Sequence, residues 1–262
     1  MKTLLNKNLK SETQIALIGS GNIATHLGLA LKQAGYNIVQ VFSRTKKSAS
    51  QLSKLLVTDY TTDFKKIAQA QLYIICIKDD AIADIVKKIK FGDTLVVHTS
   101  GSIDVNVFKG CSKNNGVFYP LQTFSKNKKA DFSLVPICVE ANNNANKKTL
   151  VQIANSISNN VICLNSEQRK TVHLAAVFAC NFSNHMYAIA EKILKEKSIP
   201  FNILMPLIQE TANKVELNSP AKMQTGPAIR RDKKVMKQHL QMLKGKKKIK
   251  KIYGLLSKNI SE

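Results

Sequence analysis

The sequence predicts an α/β protein: a doubly wound, mostly parallel sheet followed by an all-helical C-terminal domain. Three observations carry that expectation. Short apolar runs alternate with stretches of helical spacing through the first half of the chain, the pattern of a parallel sheet with crossover helices. A glycine-rich turn joins the first run to the first helix. From Ser166 onward the strand-like runs stop, and Ser166 to Glu196 contains neither Pro nor Gly.

Each element has a local reason. Gln14 to Ile18 is a short apolar run ending at Gly19, as expected of a buried parallel strand. Asn22 to Ala34 has helical spacing (Ile23, Leu27, Leu31, Ala34) and stops at Gly35. Asn37 to Phe42 is a second strand and Thr45 to Leu56 a polar-faced helix. Leu72 to Ile77, a helix over Ile82 to Ile89 and Thr94 to His98 continue the alternation. Gly116 to Tyr119, Val135 to Val139 and Val161 to Leu164 are further strands, with a helix at Ala145 to Ile157. The run Leu174 to Cys180 is apolar, so the helix carrying it is expected to be buried. These readings give an N-terminal extension over 1–12, a sheet-containing domain over 13–164 and a helical domain over 165–262.

Composition narrows the function. No apolar run approaches the roughly 18 residues of a membrane span, and the N-terminus lacks an apolar signal core, so a soluble, cytoplasmic protein without a membrane partner is expected. The five cysteines are isolated, with no metal-ligand spacing; they are expected to be reduced and mostly buried, and no metal is expected. The net charge of +23 suggests nucleic acid, but of 40 basic residues only Arg44, Arg169, Arg230 and Arg231 are arginine, and the rest are lysine. Trp is absent, aromatics are 6%, and only Lys244 to Lys251 forms a basic cluster, so no specific nucleic-acid partner is expected.

Gly19-Ser20-Gly21-Asn22-Ile23-Ala24 is a GxGxxA fingerprint between a strand and a helix, the context in which it signals dinucleotide binding. Gly19 permits the tight turn, Gly21 lets backbone approach a pyrophosphate, and Ala24 allows close helix–strand packing. The helix N-terminus supplies unpaired N–H groups to the phosphates. An NAD site would place an acidic residue at the end of the second strand, yet no acidic residue lies between Glu12 and Asp59. Ser43, Arg44 and Thr45 stand there instead, and hydroxyls beside a guanidinium suit a 2′-phosphate, so NADP(H) is the expected cofactor.

Two further constellations are candidates for chemistry. Ser100 and Gly101 follow the strand ending at His98 and are placed to line a nicotinamide pocket; Gln122 follows the next strand as a substrate-facing group. On the long helix, about 100° per residue puts His173, Val177, Asn181 and Asn184 within roughly 80° of one another. His173 with Asn181 and Asn184 is either an active-site face or polar glue between helices or subunits, since unpaired buried polar groups cost roughly 1–3 kcal/mol. Gln224 to Asp232 (QTGPAIRRD) is either a helix-start element or a loop reaching the cleft.

Gly19–Ala24, His98–Ile103, Tyr119–Ser125, His173–Leu194 and Gln224–Asp232 with His239 together resemble a Rossmann-like oxidoreductase family whose C-terminal half is a domain of unknown function. That family is akin to pyrroline-5-carboxylate reductases, 6-phosphogluconate dehydrogenases and deazaflavin-dependent NADP oxidoreductases. The resemblance implies an N-terminal NADP-binding domain and a helical domain that closes the site and forms a homodimer. Members often carry His-Pro where this chain has Tyr119-Pro120, and the acid/base lysine of related dehydrogenases has no clear counterpart. His173 stands near that lysine's point on the helix, so by analogy His173 is the candidate proton donor.

The expected function is therefore NADP(H)-dependent hydride transfer to or from a small polar metabolite. His173 would move the proton, and Asn181, Asn184 and Gln122 would orient the substrate. The alternative is a dinucleotide-binding sensor or scaffold without turnover.

Overall fold

In β1 (Gln14–Ile18), Ile15 and Leu17 enter one apolar layer, and Ala16 and Ile18 enter the other. A strand buried on both faces must lie inside a sheet covered by helices on both sides. The structure, a computed structural model, describes residues 11–89, 91–125 and 128–262. All but Ser11 and Glu12 of the expected N-terminal extension lies outside the described residues.

The chain continues through α1 (Asn22–Gln33), β2 (Asn37–Phe42), α2 (Lys46–Leu56), β3 (Asp59–Thr61), β4 (Leu72–Ile75), α3 (Asp79–Lys88) and β5 (Leu95–His98). It then forms β6 (Asn114–Pro120), β7 (Ile137–Ala141), α4 (Asn144–Asn155) and β8 (Val161–Cys163). The eight strands run in the order β3-β2-β1-β4-β5-β6-β7-β8, all parallel except the antiparallel pair β6–β7. This is the expected doubly wound sheet. Strand order reverses between β1 and β4, which opens the crevice where such sheets bind ligands.

Local chemistry sets the ends of the helices that border this crevice. Thr45 caps α2 by accepting from Ser48 N, and the left-handed Val57 (φ 51°) ends that helix. Asp79 and Asp80 lie in the first turn of α3 and Lys87 and Lys88 in its last, matching the helix dipole at both ends.

From Ser166 the chain is helical, but it is not one uniform helix. α5 (Ser166–Ala176) passes into a π-helical segment, Val177–Phe182, and then α6 (Ser183–Lys195). Its i→i+5 bonds turn the chain less per residue than an α-helix. The 100° arithmetic used above therefore does not carry from His173 to Asn184. α7 (Met205–Leu217), α8 (Lys233–Met242) and α9 (Lys247–Ser261) follow.

The chain divides into two compact units between Ala176 and Val177, and α5 belongs to the sheet-containing unit. The expectation that the Leu174–Cys180 helix is buried is corrected: Leu174 is 60% and Phe178 62% exposed. From Val177 to the end only Ala228 and Leu243 are buried. Of the cysteines, Cys76 and Cys138 are buried while Cys163 and Cys180 are exposed. No described helix is long and apolar enough to cross a membrane.

Candidate active site

The β1–α1 turn is built around Gly19. Its φ of +125° is strained for any other residue, and a Cβ there would lie 2.1 Å from the Cys76 carbonyl oxygen at the end of β4. No atom lies within 4 Å of where a Cβ on Gly21 would stand, which leaves space over the N-terminus of α1. Ala24 is fully buried against the sheet, as its place in the fingerprint requires. Asn22 Nδ2 donates to the Phe124 carbonyl at 2.8 Å, and the His26 ring bonds the Ser125 carbonyl at 2.9 Å. The loop after β6 is thereby strapped onto α1, which sequence reading did not anticipate.

A cleft of about 890 Å³ opens over this turn. Its walls include Gly19, Ser20, Gly21, Asn22 and Ile23 of the fingerprint, Ser43 and Arg44 at the β2 tip, and Gln122 of the strapped loop. Ser20 Oγ donates to Ser43 Oγ at 2.8 Å, tying the fingerprint to that tip. The Thr45 hydroxyl is engaged with Ser48, at the start of α2. A glycine-lined helix N-terminus, serine hydroxyls and one guanidinium in a cleft of this size fit the phosphates of a dinucleotide.

The second cluster lies at the end of β5. His98 is fully buried and stacked on Phe108, with ring centroids 5.6 Å apart. Its Nδ1 accepts from Ser100 N at 3.2 Å. Burial, and then the nearby Arg169 guanidinium, push its imidazole down to about 3, so it is neutral at working pH. Ser100 Oγ accepts from the N–H groups of Ser102 and Ile103, and Ser102 donates to Asp79 at the head of α3. That last bond sets the turn beside Lys78, which lines the cleft.

His173 meets this turn from α5. A Cβ on Gly101 would lie 2.6 Å from His173 Nδ1 and 2.8 Å from Tyr119 Cζ, so only glycine lets the three pack together. The Tyr119 hydroxyl and His173 Nδ1 share a 3.0 Å hydrogen bond. Burial is the main cause that pushes the Tyr119 phenol up to about 12, which keeps it protonated.

Below this pair Arg169 is wholly buried. Nη1 donates to the carbonyls of Ser100 (3.0 Å) and Gly101 (2.9 Å), and Nη2 to Glu140 (3.1 Å) and Ser166 Oγ (3.0 Å). Ser166 in turn donates to the Glu140 carboxylate at 2.9 Å.

The structure thus brings His173 to Gly101 and places Gln122 on the cleft. Asn181 and Asn184 lie in the second unit, both exposed. Arg169 and Glu140 were given no site role in advance, and Tyr119 was noted only as a departure from the family's His-Pro. The one available signal was an arginine in a chain that otherwise uses lysine. Within the second unit, Asp232, the last residue of the Gln224–Asp232 stretch, accepts from Val235 N and caps α8.

Fold and site define a class, the Rossmann-type dinucleotide-binding proteins. Residues 14–101 match the family model described as NADP oxidoreductase coenzyme F420-dependent, and residues 135–260 match a domain of unknown function, DUF2520. A crystal structure of a Bacteroides fragilis protein assigned as an NADP oxidoreductase is 46% identical over 96% of this chain and 98% of that one, with a TM-score of 0.90. The 1-pyrroline-5-carboxylate reductase of Streptococcus pyogenes shares 13% identity over 95% of this chain and 98% of its own (TM-score 0.63). The Myxococcus stipitatus imine reductase, solved with NADP+, shares 13% over 94% and 92% (TM-score 0.64). No curated protein matches the sequence. The chain belongs to the family of NADP oxidoreductases in which a Rossmann domain precedes this C-terminal domain.

Proposed function

We propose that the protein is an NADP(H)-dependent oxidoreductase that transfers a hydride to or from a small polar metabolite. The observation that carries this reading is the cleft over the Gly19 turn, where Arg44 and Ser43 stand in place of a carboxylate. Gly19, Ser20, Gly21, Asn22, Ile23 and Ala24 form the pyrophosphate cradle, with Asn22 contributing backbone because its side chain is held by Phe124. Ser43 and Arg44 take the 2′-phosphate, and Thr45 supports them by starting α2. Ser100 and Gly101 form the nicotinamide wall. The cofactor supplies the hydride chemistry when bound.

His173 moves the proton that accompanies hydride transfer. Its Nδ1 is bonded to Tyr119, which fixes the ring and leaves Nε2 as the atom that exchanges a proton. Gln122, on the wall of the cleft, orients the substrate carbonyl, imine or hydroxyl. The pyrroline-5-carboxylate and imine reductases with this fold favour the reductive direction and suggest a C=N substrate as the first to try.

The working unit is a homodimer. Past Ala176 the chain leaves Phe178, Ile203, Leu207, Leu217, Met242 and Leu255 exposed, with almost nothing buried. An apolar surface of that kind calls for a partner, and a second copy presents the same surface.

Thermal unfolding with NADPH or NADH tests the cofactor reading. NADPH at 100 times its dissociation constant is expected to add about 2.7 kcal/mol, a shift of several degrees, and NADH much less. Arg44→Ala should weaken NADPH by roughly 10- to 100-fold, the worth of one charged hydrogen bond, and leave NADH unchanged. Equal shifts with both cofactors in the wild type would overturn the assignment. Imines and keto acids are then screened by the loss of NADPH absorbance.

A further inference from the structure

We infer that Arg169 is the positioning residue of this site: through one guanidinium it holds the Ser100–Gly101 turn and α5 in register, and so sets His173 against Tyr119. The inference rests on the oxidoreductase reading for its kinetic consequences, but its geometry stands apart from it.

Arg169 and His173 are four residues apart on α5, one turn, and share a face of the helix. Both touch the same two-residue segment. Arg169 holds the carbonyls of Ser100 and Gly101, while the His173 ring lies where a Gly101 side chain would be. The other end of the guanidinium is anchored on β7 by Glu140, whose side chain is only 12% exposed. Ser166 closes the network, donating to Glu140 while it accepts from Arg169 Nη2 and Val105 N. Three segments far apart in sequence, the turn after β5, β7 and the first turn of α5, thus converge on one side chain.

Stability alone does not call for this arrangement. Two buried charges lose solvation that their attraction does not reliably return, and apolar residues of the same volume often serve as well or better. What an apolar residue cannot do is grip two successive carbonyls and a carboxylate with fixed angles. Lysine cannot either, because it lacks the planar fork. The guanidinium also sets electrostatics, since it depresses the His98 imidazole and opposes the rise at Tyr119.

The test uses the full-length chain and the variants R169K, E140Q, H173N and R169K/H173N. Histidine ring signals are followed by NMR, with His173 assigned by its loss in H173N. In R169K the cross-peak between the His173 and Tyr119 rings should vanish, while NADPH still raises the unfolding temperature. With a substrate from the screen, kcat should fall at least tenfold and KM change by less than twofold. In the H173N background R169K should cost nothing further, because residues acting through one another are not additive. An unchanged His173 signal in R169K, or an equal loss of kcat in both backgrounds, overturns the inference. Absence of NADPH-dependent turnover in the wild type would sink the enzymatic reading, yet the NMR comparison would still decide this one. If R169K does not fold, E140Q keeps the volume, removes the anchoring charge and should displace the same signal.

Discussion

Four arginines stand in a chain that otherwise uses lysine; Arg44 lines the cleft over the Gly19 turn and Arg169 lies under the turn after β5. Counting arginines brings Arg169 into view but does not say what it holds, because Ser100 is 69 residues away. Tyr119 and His173 are 54 apart, and no spacing rule connects them. By contrast, Gly19 and Ala24 were legible because their roles are local, a turn and a close packing within six residues. His98 yields a pH dependence. Its folded value, about 3, lies below the ordinary 6.5, so the unfolded chain takes up the proton first as pH falls. Its contribution to stability is complete above about pH 6.5 and is lost progressively toward pH 3, at up to about 1.4 kcal/mol per pH unit. Urea unfolding at pH 7 and pH 4.5 should show His98→Asn losing about 2 kcal/mol less than the wild type over that interval. Equal losses would mean other groups govern the acid limb.

At the scale of elements, the strands that build the crevice were the most readable. β1, β2, β4 and β5 are apolar runs wherever both faces must be covered, and each was expected within two residues of where it lies. β3 escaped because its three residues, Asp59–Thr61, are too few to show a period and form the sheet edge. The antiparallel sense of β6 and β7 escaped because an apolar run carries no direction. The π segment escaped because Val177–Phe182 would suit an α-helix equally well, residue by residue. The β1–α1 turn itself makes a sharp prediction. Gly19→Ala places a methyl 2.1 Å from the Cys76 carbonyl on a backbone with φ +125°. It should abolish the NADPH-induced rise in unfolding temperature and lower the apo value by several degrees, since left-handed strain alone costs about 1–2 kcal/mol. A variant that keeps the NADPH shift would show that the phosphates bind elsewhere.

For the whole molecule, the +23 charge and the bare apolar surface past Ala176 make opposite demands. Two copies would repel as charges and attract through their apolar surfaces. Sedimentation should find twice the 29.1 kDa chain mass at micromolar concentration. Added salt should tighten the association, because it screens the repulsion and leaves the apolar term. A complex that loosens with salt would point instead to an acidic partner. The charge was visible in composition, whereas the exposed apolar surface required coordinates, because a run such as Leu174 to Cys180 reads the same whether it is covered or open.

That scarcity also has a kinetic side. The sheet unit carries its own apolar layers, and the helices beyond Val177 bury only Ala228 and Leu243. Refolding should therefore show a phase indifferent to dilution as the sheet forms, and a later phase whose rate rises with protein concentration. At the low copy number of a newly made chain, the wait for a second one would set the pace at which the finished protein appears.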